Sequence, residues 1–254
     1  MCSSDLAHKD GKYLADTALT NEIKAQLKDS GPPQFLFAIS IEAHGPYDID
    51  PADLAQRDAI VVPKGITGKD KLELQNYLYH LRHADAELGR LVQWLAQRDR
   101  PSRVLFYGDH LPALSDVYSE LGFVDGEGML AAPDTWLLLD PHHPQAPAAH
   151  ADTAAWLLPA VLLDQIGIHE DAYFALTGLV GAQLAAFTRT PGAAPPLLTA
   201  VDQETDQRMR SVNQLRMAGK LTAVLPSQLL DTSSRIAHER NPPTSDPQGV
   251  ILLP

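Results

Sequence analysis

Two short apolar runs, separated by a long helical pattern, constrain the fold of this chain more than any other feature. Residues 35–41 follow a Gly-Pro-Pro breaker, and residues 104–107 follow an Arg-Pro-Ser breaker. Short and almost continuously apolar runs between breakers are typical of strands that are covered on both faces. We therefore predict two buried strands.

Helical periodicity surrounds these runs. Residues 72–95 place apolar side chains at i, i+3, i+4 and i+7, which predicts an amphipathic helix of several turns. Further patterns predict helices over residues 13–27, 152–166, 170–187 and 203–217, and a third strand over residues 135–139. Strands that alternate with helices imply crossover connections and a parallel sheet with helices on both faces. The predicted class is α/β.

Composition excludes some functions. The chain carries 32 acidic and 20 basic residues, and its net charge of −12 disfavours nucleic acid as a partner. Cys2 is the single cysteine, so a bound metal would rest on histidines and carboxylates. No run of 18 apolar residues is present to span a bilayer.

Gly108-Asp109-His110 directly follows the second predicted strand. Ligands of open α/β sheets gather at the carboxyl ends of strands. A carboxylate and an imidazole on adjacent residues can reach one divalent cation if the backbone turns there, which Gly108 permits. The alternative is an ordinary turn with a surface histidine.

His44-Gly45-Pro46-Tyr47 lies just beyond the first predicted strand. If both strands belong to one parallel sheet, this motif and Gly108-Asp109-His110 project from the same edge. An imidazole at His44 could donate to an anionic oxygen or transfer a proton. The alternative is a solvated loop histidine.

Together these segments resemble the sulfatase-like phosphoglycerol transferases, which include the lipoteichoic acid synthases. The similarity rests on residues 35–47 with His44-Gly45-Pro46-Tyr47, on the helix at residues 78–95, and on residues 104–112 with Gly108-Asp109-His110. It extends over roughly residues 11–185. The resemblance implies an alkaline phosphatase-like α/β/α sandwich with a mostly parallel sheet, truncated at its N-terminus.

The resemblance also implies a chemistry. In this family a threonine takes a phosphoglycerol group from a phospholipid donor, and an envelope glycan or glycolipid accepts it. Asp109 and His110 are expected to bind a divalent metal, preferably manganese, with zinc, magnesium and calcium as alternatives. His44 is the expected catalytic and substrate-binding histidine, and Tyr47 is expected to contact substrate. The full-length protein is expected in the cell inner membrane, with an extracytoplasmic, periplasmic catalytic domain.

The chain departs from the family at its beginning. In the family, the nucleophile and the first acidic metal ligand lie far upstream of the His-Gly-Pro-aromatic motif, whereas 43 residues precede His44 here. Thr17 and Thr20 lie in a predicted helix with no strand before them, so neither is assigned as the nucleophile. We expect this segment to lack its nucleophile and upstream membrane helices, and to be inactive alone.

Three regions are expected along the chain. Residues 1–6 match the translation of a common sequencing adapter and are interpreted as an artefact. Residues 7–187 are assigned to the C-terminal part of the catalytic domain. Residues 188–254 are predicted to be a tail, partly helical and partly linker or disordered, especially over its last fourteen residues.

Other candidate residues have competing interpretations. His142 and His143 follow the third predicted strand and are candidate substrate ligands, although a surface connector is equally consistent. His80 and His83 share one face of the long predicted helix, where polar neighbours favour a solvated face over a metal site. Asp85 is expected to make a structural hydrogen bond.

Two further functions remain open from the sequence. One is hydrolysis of a sulfate or phosphate ester on the same fold, with water as the acceptor. The other is a non-catalytic binding module, because a phosphoryl-transfer site without its nucleophile cannot turn over.

Overall fold

A computed structural model of the chain describes residues 9–123, 134–144, 149–150, 153–168, 171, 173–174, 176–178, 203–224 and 251–252. The described residues form two compact units. The first contains residues 9–102 and 109–123, and the second contains residues 103–108 and those from 134 onward.

The first unit is a helical assembly built around one long helix. A two-residue hairpin pairs β1 (Lys9–Asp10) with β2 (Tyr13–Leu14). The helices are α1 (Asp16–Gln26), α2 (Leu54–Asp58), α3 (Gly68–Ala96) and α4 (Ser115–Leu121). Helices α1, α2 and α4 each pack against α3. The helices predicted at residues 13–27 and 72–95 are therefore confirmed.

An apolar core joins α3 to α4 and to the loops between them. Leu74 of α3 is buried, as is Val117 of α4, because both lie on the helix face that the sequence pattern makes apolar. The buried cluster consists of Tyr47, Ile66, Leu74, Leu114 and Val117. This core holds the segment after His44 against α3.

Buried polar contacts hold the same segment. Asn76 of α3 is fully buried, and its Nδ2 donates to the backbone oxygens of Tyr47 at 2.7 Å and Ile49 at 3.2 Å. Arg57 of α2 donates to Asn76 Oδ1 at 2.9 Å. Because a buried amide is costly when unpaired, these bonds specify one position of the loop on α3.

The second unit contains a small mixed sheet. Its strands are β3 (Val104–Tyr107), β4 (Trp136–Leu139), β5 (Ala149–His150) and β6 (Ile251–Leu252), in the order β3-β4-β6-β5. Strands β3 and β4 are antiparallel, with Val104 opposite Leu139. A 3₁₀ turn at Ala155–Leu157 precedes α5 (Leu158–Gln165), and α6 (Gln203–Met217) and α7 (Leu221–Val224) follow. Trp136, Leu138 and Leu158 form a buried cluster between sheet and helix.

The prediction of a buried strand at residues 35–41 is wrong. These residues have no strand pairing, and Phe35 is 81% and Ile39 68% exposed. An apolar run indicates that a segment can be buried, but a strand also needs a neighbour to accept its backbone hydrogen bonds. Within the described residues, β3 makes its pairing with β4 instead.

A parallel sheet is not confirmed. Among the described strands, β5 and β6 are parallel, whereas β3–β4 and β4–β6 are antiparallel. The predicted strands at residues 104–107 and 135–139 do form, but the prediction that β3 is buried is wrong, because Phe106 is 39% and Tyr107 41% exposed. The mutual direction of the two strands, however, cannot be read from an apolar pattern, because the same pattern suits either arrangement once both faces are covered.

The remaining predicted elements have mixed outcomes. Helix α6 confirms residues 203–217, whereas α5 begins at Leu158, later than expected. The helix predicted at residues 170–187 lies largely outside the described residues, although residues 173–174 and 176–178 are helical. Strand β6 lies within the last fourteen residues, whose assignment as linker or disorder stays a prediction. None of the described helices combines the length and apolar character required to cross a membrane.

Candidate active site

The loop that carries His44 is held in a defined conformation. His44 N–H donates to the backbone oxygen of Ile41 at 3.1 Å, and the hydroxyl of Tyr13 donates to the backbone oxygen of Gly45 at 2.8 Å. The Nδ1 atom of His44 lies 2.7 Å from that same Gly45 oxygen. Because a carbonyl oxygen only accepts, Nδ1 carries the proton and Nε2 is the lone-pair nitrogen of the neutral ring.

Asp109 and His110 form a compact pair at the surface of the first unit. Asp109 Oδ1 accepts the backbone N–H of His110 at 2.9 Å, and His110 Nδ1 lies 2.9 Å from the backbone oxygen of Leu111. The same reasoning therefore makes Nε2 of His110 the lone-pair nitrogen. The side chains are exposed, at 80% for Asp109 and 60% for His110.

The structure brings His44 and His110 together. Their ring centroids are 5.9 Å apart and the rings are nearly perpendicular, with Tyr13 5.9 Å from His44 on another side. That the two motifs share one functional site stays a prediction. The expected route to it, through two neighbouring parallel strands, is not observed.

The atoms of Asp109 and His110 fit a divalent cation. His110 Nε2 and Asp109 Oδ2 are 3.6 Å apart. Two donors bound tetrahedrally to one ion at about 2.1 Å each would be separated by about 3.4 Å. The orientation of Nδ1 toward a carbonyl is also the usual arrangement of a metal-binding histidine. Their assignment as metal ligands stays a prediction.

Tyr47 contributes to the core and to the wall of a small cleft. It is 6% exposed, its hydroxyl donates to the backbone oxygen of Ala43 at 3.2 Å, and its ring packs edge-on against Tyr77 at 5.4 Å. Burial, with the nearby Tyr77 and Tyr118, raises the pKa of Tyr47 to about 12. The expected substrate contact stays a prediction, and the observed contacts stabilise the loop.

The cleft leads from His44 into the interior of the first unit. Lys12 and Tyr13 line its mouth with His44, while Glu42 and His80 line its inner part. Lys12 is an exposed cation beside the candidate catalytic imidazole. The interior of the cleft has room for about one water molecule, so a larger anionic group could bind only at its surface, beside Lys12 and His44.

A buried network lies behind this cleft, and the sequence analysis missed it. Glu42 is 1% exposed, and its Oε1 lies 3.1 Å from His80 Nδ1 and 2.6 Å from His83 Nδ1. Its Oε2 accepts the backbone N–H of Asp16 at 2.5 Å. The expectation of a solvated helix face is wrong for His80, which is 6% exposed, and for His83, which is half-buried.

The prediction of a solvated face failed because the tertiary structure covers that face. The face of α3 that carries His80 and His83 is polar in sequence, but the segment before His44 brings a carboxylate onto it. One signal was available: Glu42 lies two residues before His44 and follows an apolar run, where a charge requires a partner.

The pKa values of Glu42 and Asp16, two carboxylates of the network, are shifted in opposite directions. Burial acts to raise the pKa of Glu42, but hydrogen bonds from His80, the Asp16 backbone and His83 outweigh it and lower that pKa. Burial raises the pKa of Asp16, supported by the charges of Glu42 and Glu87 and opposed by a hydrogen bond from Ser40. The negative charges of Glu42 and Glu87 therefore disfavour ionisation of Asp16.

Thr17 extends the network along α1. Its hydroxyl donates to Glu87 of α3 and lies 3.2 Å from His83 Nε2, and Arg90 also donates to Glu87. These contacts join α1 to α3. That Thr17 is not the nucleophile stays a prediction.

His142 and His143 lie in the second unit. His143 Nδ1 is 2.8 Å from Asp140, whose carboxylate also accepts the backbone N–H of His142 and pairs with Arg103 at 2.9 Å. Burial acts to raise the pKa of Asp140, but these partners lower it overall. A substrate role for both histidines stays a prediction, as does the hydrogen bond expected of Asp85, which is exposed on α3.

Comparison with known proteins identifies the family. The family model described as Sulfatase matches residues 2–169, more than half of the chain. The chain belongs to the sulfatase family. Membership implies an alkaline phosphatase-like α/β fold. The described residues contain helices and small sheets.

Two relatives come from Rhizobium meliloti (strain 1021). A "Putative cyclic beta-1,2-glucan modification protein" is 35% identical over 118 residues, which is 46% of this chain and 18% of that protein. The "Capsular polysaccharide biosynthesis protein RkpI" is 28% identical over 174 residues, which is 65% of this chain and 27% of that protein. The chain thus spans about a fifth to a quarter of the length of these relatives. No solved structure matches it significantly.

Proposed function

We propose that this chain is part of a metal-dependent, sulfatase-like transferase that moves a phosphoglycerol or similar phospho group from a lipid donor to an envelope glycan. The observation that carries the proposal is the approach of His44 to His110, with Asp109 beside it. Three groups suited to phosphoryl transfer thus converge on one surface from segments far apart in the sequence.

Asp109 and His110 would hold the divalent ion through Oδ2 and Nε2, with manganese as the preferred ion and zinc, magnesium or calcium as alternatives. When bound, such an ion would stabilise negative charge on the phosphoryl oxygens. Two donors are fewer than a structural site uses, so other groups would complete the coordination.

His44 would act as the general base and general acid for the hydroxyl groups that attack and leave the phosphorus atom. Nε2, the nitrogen that is not directed at Gly45, can accept the proton of an attacking hydroxyl and return it to the leaving oxygen. By resemblance, an upstream threonine hydroxyl would attack first: its bond to phosphorus forms, the lipid–phosphorus ester bond breaks, and the lipid leaves as an alcohol with the threonine's proton. The acceptor hydroxyl would then attack: its ester bond to phosphorus forms, the threonine–phosphorus bond breaks, and the acceptor's proton passes to the threonine oxygen.

Lys12 supports the same role. Its ammonium group lies at the mouth of the cleft that His44 lines, 5.1 Å from the ring centroid of Tyr13. An exposed cation at this position would attract the phosphodiester and orient it towards His44. A negatively charged substrate needs such a group because the chain as a whole carries a net charge of −12.

The relatives support a glycan as acceptor. Their printed names concern cyclic beta-1,2-glucan modification and capsular polysaccharide biosynthesis. A phospholipid donor and an envelope glycan or glycolipid acceptor would require an extracytoplasmic site close to a membrane, which upstream helices would provide. No nucleic acid is expected as a partner.

Ester hydrolysis is the second candidate, and the family description supports it directly. The same three residues would serve, with water replacing the glycan hydroxyl as acceptor. Group transfer and hydrolysis then differ in the acceptor rather than in the site.

The test uses the protein expressed from its complete reading frame, with a radiolabelled phosphatidylglycerol donor, an envelope glucan and manganese. Label appearing on the glucan, with release of diacylglycerol, is the expected result. Label released to water in equal amount with and without glucan would identify a hydrolase. Absence of both, in a folded protein with manganese present, would reject the proposal.

A further inference from the structure

A second group of potential metal ligands includes neither Asp109 nor His110. Asp10, Glu42 and His83 each offer one ligand atom, and the three atoms all lie within 4.8 Å of one another. Asp10 is 8% and Glu42 1% exposed. The three residues come from β1, from the segment before His44, and from α3, so three separate parts of the first unit converge on this point.

The surroundings carry more buried negative than positive charge. The carboxylates of Asp16 and Glu87 are 5% and 3% exposed and flank the same group. Arg90 contacts Glu87, and the imidazoles of His80 and His83 contact Glu42. A buried carboxylate requires a counter-charge, a proton or a cation, because water no longer solvates it.

We propose that Asp10, Glu42 and His83 form a binding site for a divalent transition-metal ion, best matched by zinc. One imidazole nitrogen with two carboxylate oxygens is a donor set that zinc accepts, whereas magnesium and calcium prefer oxygen alone. Donors bound tetrahedrally at about 2.1 Å from one ion are about 3.4 Å apart, so a pair at the 4.8 Å limit would close by about 1.4 Å when the ion binds.

The neighbouring groups already orient the ligands. Tyr79 donates its hydroxyl to Asp10 Oδ2 at 2.9 Å, and the backbone N–H of Ala52 donates to Asp10 Oδ1 at 2.7 Å. The backbone N–H of Asp16 orients Glu42 through Oε2. Hydrogen bonds of this kind fix the rotamers of metal ligands and increase their affinity.

This site is separate from the one that the proposed function uses, and it has a different role. Glu42 lies two residues before His44, so an ion on Glu42 would tie the His44 loop to β1 and α3. The ion is structural: it holds the loop in place and touches no reacting atom.

The test uses the purified 254-residue chain, stripped with EDTA and dialysed against zinc at pH 7.5. Bound zinc is measured by mass spectrometry of the metal, alongside circular dichroism to check folding. A chain carrying Asp109→Ala and His110→Ala should still bind one zinc ion. Adding His83→Gln or Glu42→Gln to that chain should weaken the binding at least tenfold. Glu22→Gln, at an exposed position on α1, is the matched control and should change nothing.

A second measurement keeps the test decisive if a buried substitution prevents folding. X-ray absorption at the zinc edge of the Asp109→Ala, His110→Ala chain should show one imidazole and carboxylate oxygens. A water-only shell, no bound zinc in this chain, or zinc binding unaffected by His83→Gln would each overturn the proposal.

Discussion

His83 Nδ1 lies 2.6 Å from Glu42 Oε1, and this contact joins the long helix α3 to the segment that carries His44. His80, one helical turn earlier, approaches the same oxygen at 3.1 Å. Two imidazoles from one helix face thus converge on a carboxylate placed two residues before the candidate catalytic histidine.

Glu42→Gln should destabilise the first unit. The change leaves the side chain's size almost unaltered but removes the charge that His80, His83 and the Asp16 backbone share, so we expect a loss of about 2–3 kcal/mol. Urea unfolding followed by circular dichroism measures it. Glu22→Gln, on an exposed face, should cost under about 0.5 kcal/mol. Equal midpoints for both variants would contradict the importance of the network.

The contribution of Glu42 should depend on pH. Its pKa in the folded chain lies below the ordinary value of 4.5, so the stabilisation is present above pH 4.5 and is lost as pH falls through the folded pKa. The gap in unfolding free energy between wild type and Glu42→Gln should therefore narrow in acid. Measurements in EDTA between pH 3 and 7 test this, and a constant gap would refute it.

Asp16 should behave with the opposite sign. Its folded pKa lies above the ordinary value of 3.8, so ionisation costs stability, and the cost develops as pH rises through the folded pKa. Asp16→Asn, which cannot ionise, should therefore be more favourable relative to wild type at pH 7 than at pH 3. The same EDTA titration series measures the difference. If the unfolding free energy of Asp16→Asn, relative to wild type, falls as pH rises, the ionised Asp16 carboxylate is stabilised in the folded chain and the prediction is wrong.

Asp109→Ala or His110→Ala should abolish transfer by the protein from the complete reading frame. Loss of a metal ligand removes charge stabilisation of several kcal/mol, about a thousandfold or more in rate. Both side chains are exposed, so the melting temperature should hardly move. Glu120→Ala, on the exposed face of α4, is the control. Near-normal transfer by folded Asp109→Ala would remove Asp109 from the site.

Phe37→Asp distinguishes an exposed segment from a buried strand in the 254-residue chain. Phe37 is 63% exposed, so the change should alter the unfolding free energy by under about 1 kcal/mol and reduce self-association. Sedimentation velocity and urea unfolding provide the two readouts. Leu74→Asp, in the core of α3, should instead prevent stable folding. A loss of 3 kcal/mol or more for Phe37→Asp would place that ring in a core.

The sequence by itself determined the long helix α3 and the position of strand β3, and it selected the candidate site residues. Helix α3 follows from an apolar spacing sustained over several turns, because that spacing records which face of the helix must leave water. The short apolar run of β3 marked the strand but not its exposure. Asp109, His110 and His44 could be chosen as candidate site residues because each lies next to or near a glycine after an apolar run, a pattern that can be recognised in the sequence.

Only the tertiary structure decided how those elements meet. The antiparallel pairing of β3 with β4, and the exposure of residues 35–41, depend on which backbone groups find partners, and this is not encoded in periodicity. The burial of His80 is the clearest case. A polar helix face looks solvated in sequence, yet Glu42, 38 positions away, covers it, because a buried carboxylate is stable only where donors from another element surround it.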